Sequence, residues 1–97
     1  MKVVIKKSDI KGKKYSAIFY DDNDKKIKTT HFGSAGMDDY TLTGDKEARK
    51  RYRERHKKDL DTKDYKRAGY LSYYILWGDS TSLQENIKSY KNRFNLN

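Results

Sequence analysis

The sequence predicts an α+β fold, with an N-terminal antiparallel β-hairpin or three-stranded sheet packed against two or three C-terminal helices. The first third of the chain holds short β-type runs split by turn residues, and the second half holds apolar residues at three- and four-residue steps. The strands also precede the helices instead of alternating with them. With 97 residues, one small domain is expected, residues 1–33 forming its β part and residues 45–94 its helical part.

Lys2–Lys7 is a short apolar run between lysines, ended before Gly12. In Lys13–Tyr20, Tyr15, Ala17 and Phe19 share one parity and Ile18 and Tyr20 the other. Asp21–Asp24 reads as a turn, because Asp and Asn bond their own backbone and tolerate the left-handed region. Lys26–Phe32 alternates again and completes a hairpin, to which Lys2–Lys7 can add a third strand. Gly33-Ser34-Ala35-Gly36 ends the strand, either as a plain turn or as a loop able to cradle an anion. Asp38–Thr41 is expected to be partly extended.

Asp45 is placed to N-cap a helix over about 46–58, with Glu47 in its first turn and Lys57 and Lys58 in its last, as the helix dipole favours. Its apolar stripe is narrow: Ala48, Tyr52, His56 and Leu60. A second helix is predicted over about Asp64–Leu76, stopped by Gly78. Thr81 or Ser82 then caps a third, whose Leu83, Ile87, Tyr90 and Phe94 fall on one face.

Leu, Ile, Val and Phe number only 17, a proportion that together with high net charge borders on disorder. Nine Tyr, one Trp and two Met supply the missing bulk, so the aromatics are expected to form the core and not a base-stacking surface. The absence of cysteine excludes disulfides, thiol nucleophiles and thiolate metal sites. The longest apolar run, Tyr70–Trp77, is far short of the ~18–20 residues of a membrane span. Met1–Lys7 lacks the apolar stretch of a signal peptide, so an intracellular location, or carriage inside a particle, is expected.

The net charge is +9, and it is unevenly placed. Residues 46–58 carry eight basic and two acidic groups. Such a helix repels itself by a few tenths of a kcal/mol for each like-charged i,i+4 pair. A polyanion removes that repulsion and releases counterions on binding. The candidate contact residues are Lys46, Arg49, Lys50, Arg53, Lys57 and Lys58. Three readings stand side by side: phosphate binding, docking on the carboxylates of another protein, and a merely solvated face. The expected partners are the phosphate backbone of nucleic acid or other proteins, and an oligomer of the chain stays open.

His31 and His56 are the only histidines, and nothing in their spacing to Asp38 and Asp39 demands a metal or a catalytic pair. Walker, dinucleotide-binding and nucleophile-elbow motifs are missing. The expectation is a non-enzymatic module without cofactor or metal.

His31-Phe32-Gly33, Gly36, Asp39-Tyr40-Thr41, Asp45, Arg49, Tyr52, Arg55-His56, Ala68-Gly69, Leu76-Trp77 and Arg93-Phe94 form a pattern spanning residues 31–94. It resembles small proteins of unknown function from large DNA viruses of the phycodnavirus and mimivirus kind. The resemblance implies a viral origin, action in an infected host cell and a place in the virion, where a minor capsid role is the alternative to nucleic-acid binding. The chain departs from the pattern in lacking a tryptophan within Leu60–Tyr65 and a proline within Gly78–Leu83. The resemblance also suggests that His31, Asp39, Tyr40, Tyr52, Arg55 and His56 pack as one unit pinning the basic helix. Arg55 is then structural, and Arg49, Lys50, Arg53 and Lys57 face outward. On that picture Tyr52→Ala unfolds the domain and Arg53→Ala does not.

Overall fold

The structure is a computed structural model and describes residues 1–97. Strands β1 (Lys2–Lys7), β2 (Lys13–Tyr20) and β3 (Lys26–Ser34) form one antiparallel sheet in that order. Val3 lies opposite Phe19, Ile5 opposite Ala17, and Tyr15 opposite Phe32. Side chains alternate across a strand, so these residues share one face, and Val3, Ala17, Phe19 and Phe32 are buried there. The turn between β2 and β3 is organised by Asp21, whose Oδ1 accepts from the N–H groups of Asn23 and Lys25, both at 2.9 Å. Past the turn the register skips Ile27, which stays exposed. The free edge of β1 is closed by Asn97, which exchanges backbone hydrogen bonds with Met1 and Val3.

The chain then forms α1 (Tyr40–Thr43), α2 (Lys46–His56), a 3-10 segment (Lys57–Thr62), α3 (Ala68–Leu71) running into a π-helical turn (Ser72–Leu76), and α4 (Leu83–Arg93). The α+β arrangement of a sheet followed by helices is therefore observed. Of the segment Asp38–Thr41, expected to be partly extended, Asp39 is extended, while Tyr40 and Thr41 open helix α1. Asp39 caps it by accepting from Thr41 N–H at 2.9 Å, and Gly44 closes it in the left-handed conformation, φ 66°, donating to Tyr40 O. Asp45 caps α2, accepting from the N–H groups of Glu47 and Ala48, and Ser82 caps α4, accepting from Glu85 N–H.

The single helix expected over Asp64–Leu76 is shorter and changes pitch. Residues 64–67 form a turn tied to the sheet by Thr30 Oγ1, which donates to Lys66 O at 2.7 Å. The π turn then brings Leu71, Ile75 and Leu76 together against the sheet. Gly78 stops this helix, though not by a left-handed cap. It lies beneath α4, where Asn86 is 2 % exposed and donates to Ile75 O and Ser80 O while accepting from Ser80 N–H. Tyr90 is fully buried and donates to Tyr65 O. No helix is long and apolar enough to cross a membrane.

Burial raises the phenols of Tyr52, Tyr70 and Tyr90 above their ordinary value near 10. The folded state therefore holds these protons more tightly than the unfolded chain. Their contribution to stability is complete below about pH 10 and declines as pH rises toward the folded values. An alkaline titration is expected to show tyrosinate absorbance from these residues appearing together with the loss of circular dichroism, and not before it.

Candidate functional site

Helix α2 carries two different faces. The inner one, at i, i+3, i+4 and i+7, consists of Arg49, Tyr52, Arg53 and His56, all half-buried. Tyr52 is sandwiched between the rings of Trp77, 4.5 Å away and nearly parallel, and His56, at 4.2 Å. The two arginines reach the far end of the α3–π helix. Arg53 Nη1 donates to Trp77 O at 2.7 Å and Tyr73 O at 3.3 Å, and its guanidinium lies 4.0 Å from the centre of the Tyr73 ring. Arg49 Nε donates to Gly78 O at 2.7 Å, and its Nη2 pairs with Asp79 at 2.7 Å. A helix C-terminus leaves carbonyls without donors and carries partial negative charge, so two guanidinium groups answer both needs.

This corrects the expectation that Arg49 and Arg53 face outward. It also reverses the expected outcome for Arg53→Ala. The substitution strands two carbonyls and removes a cation–π contact, and is expected to cost about 2 kcal/mol in chemical denaturation. Lys50→Ala, on the exposed side, is expected to stay within about 0.5 kcal/mol.

The outer face keeps Lys46, Lys50, Arg51, Arg55, Lys57 and Lys58 exposed. Only Lys57 has a carboxylate partner, Glu54 at 3.9 Å. Glu47 and Glu54 run between two cationic rows, Lys46–Lys50–Lys57 on one side and Arg51–Arg55–Lys58 on the other.

Of the six residues expected to pack as one unit, Tyr52 and His56 stack on each other and the rest separate. His31 lies within β3 opposite Ser16, its Nδ1 2.9 Å from Ser8 Oγ. Tyr40 is buried beneath the Arg49 guanidinium. Asp39 is 2 % exposed and pairs with Lys14 Nζ at 2.6 Å. Arg55 is exposed and makes no side-chain hydrogen bond or ion pair, so it is not a structural residue.

Asp39, Tyr52, Arg55 and His56 nonetheless line one cleft of about 660 Å³ between α2, the loop at 33–37 and the α3–π helix. Phe32, Leu76 and Trp77 add apolar surface, and Lys13, Lys14 and Asp38 stand at its sheet side. His56 Nδ1 is 3.1 Å from Asp59 Oδ2. A second hollow, of about 590 Å³, adjoins it and holds His31, Lys28 and Arg67. The seam between them is the contact of Asp59 with Gly69, where an added Cβ would sit 2.9 Å from Asp59 Cβ. Sequence reading missed Lys13, Lys14, Asp59 and Trp77 as parts of this site. The Lys13-Lys14 pair after Gly12 was the one local signal for it. No group of three or more His, Asp or Glu side chains converges as a metal-binding set.

No curated protein and no solved structure is detectably similar to the chain. A family match covers residues 3–56, more than half of the chain and all but the first residue of the stretch from β1 through α2. The chain belongs to the family of unknown function DUF5754.

Proposed function

We propose that the protein is a non-enzymatic module that binds nucleic acid through phosphate contacts on the outer face of α2. The observation that carries this reading is the set of unpaired cations there: Lys46, Lys50, Arg51, Arg55 and Lys58. None of them forms an ion pair within the chain, while the two inner arginines of the same helix are hydrogen-bonded to Tyr73 O, Trp77 O, Gly78 O and Asp79. A row of exposed cations on a rigid helix tracks a phosphate backbone at little cost in side-chain burial. Arg51 and Arg55 add the bidentate geometry that phosphate favours. The viral setting rests on the sequence resemblance.

The test is a fluorescence-anisotropy titration of a labelled random-sequence DNA with the purified chain at about 50 and 200 mM salt. Micromolar or tighter binding is expected at the lower salt. Five phosphate contacts on a duplex predict a loss of roughly 500-fold between the two conditions. Absence of binding at 50 mM removes this reading and leaves the acidic surface of a neighbouring virion protein as the surface α2 would meet.

A further inference from the structure

We infer that the cleft beside α2 receives an unpaired nucleobase, so that the protein's partner is single-stranded nucleic acid; this rests on the phosphate-binding reading of α2. The cleft joins what such a ligand needs. Its helical wall is a ready-made stack, Trp77 on Tyr52 on His56, with spacings of 4.5 and 4.2 Å. Both faces of Tyr52 are covered, but the His56 side chain is 39 % exposed at the end of the stack. His56 lines the cleft, so a base entering there can stack on the imidazole.

The surrounding wall is built from small residues, Gly36, Ala68 and Gly69 among them, which leave room for a flat ring. Gly36 has open space where a side chain would stand. Two exposed cations without carboxylate partners, Lys13 on β2 and Arg55 on α2, stand on opposite sides of the cleft. They suit the phosphates on either side of an inserted base. Arg55 belongs also to the outer row Arg51–Arg55–Lys58, so a backbone leaving the cleft continues onto the helix. A duplex keeps its bases paired and stacked, and reaches only that outer row.

The experiment uses the full chain with a labelled 12-nucleotide single-stranded DNA of mixed sequence and the same sequence as a duplex. Stacking of one base predicts a preference for the single strand of about tenfold. Trp77, the only tryptophan, reports on the cleft directly, and its emission is expected to change with the single strand and not with the duplex. His56→Ala and Lys13→Ala are each expected to weaken the single strand about five- to tenfold and to leave the duplex unchanged. Lys13 is exposed, and its variant stays informative if His56→Ala lowers the melting temperature. Equal affinities with a silent Trp77 overturn the cleft assignment while the α2 reading stands. Binding of neither probe overturns both.

Discussion

Gly78→Ala is expected to destabilise the domain by about 3 kcal/mol, which for a chain of this size lowers the melting temperature by roughly 15 °C. A Cβ at this position would sit 2.3 Å from Tyr74 O and 2.7 Å from Asn86 Cγ. Neither neighbour can yield cheaply. Tyr74 O belongs to the backbone of the π turn, whose pitch sets the positions of Ile75 and Leu76 in the core. Asn86 is held by three hydrogen bonds, to Ile75 O at 2.8 Å, Ser80 O at 2.7 Å and Ser80 N at 3.0 Å. Displacing it leaves buried polar groups without partners, a penalty of about 1–3 kcal/mol per group. The clash also disturbs Gly78 O, which Arg49 uses to hold α2. Thermal melts followed by circular dichroism check this, with Gln84→Ala on the exposed side of α4 as the control. A shift of only a few degrees would show that the 77–82 loop has room to relax.

The elements that were legible in the sequence are those whose causes are local. The strands follow from alternation in β2 and β3 and from the short apolar run of β1, and β1 and β2 have the predicted ends. Asp45 and Ser82 cap the helices they were expected to cap, because a capping bond spans only two or three residues. Tyr90 and Phe94 join the core as their spacing required. The misreadings that bear on the site are tertiary. Arg49 and Arg53 look like surface residues until the end of the α3–π helix, some 20 to 30 positions later, presents carbonyls to them. Their i, i+4 spacing on the side of Tyr52 and His56 places them on the packed stripe, although their charge alone reads as surface. Gly78 reads as an ordinary helix stop because its true constraint, the approach of Asn86, is not local. The cleft is half legible: Tyr52, Arg55 and His56 read as a group of mutual partners, which holds for the Tyr52–His56 stack and not for Arg55. Their common feature is a shared hollow, completed by Lys13 and Trp77 from distant elements.

Replacing Lys50, Arg51, Arg55 and Lys58 together by Gln is expected to lower affinity for single-stranded and duplex DNA at least about 100-fold at 50 mM salt. The slope of log affinity against log salt on duplex should shrink by about three to four, since each lost phosphate contact removes roughly 0.9. The folded state should hardly notice. None of the four forms an ion pair, and the like-charge neighbours that vanish, such as Lys46–Lys50, Arg51–Arg55 and Arg55–Lys58, are offset by the loss of weak attraction to Glu47 and Glu54. Each such contact is worth a few tenths of a kcal/mol on an exposed helix, so the net change stays within about 0.5 kcal/mol. Arg53→Ala is expected to do the opposite, loosening the attachment of α2 while leaving the outer cations in place. The two variants therefore separate the faces of one helix, the first by affinity at constant stability and the second by stability. If the fourfold variant binds DNA as the parent does, the outer face is a solvated surface and the polyanion reading of α2 is wrong. If it binds weakly but has also lost its melting transition, these side chains hold the fold through contacts that exposed, unpaired cations do not make, and the division of α2 into a structural and a binding face fails instead.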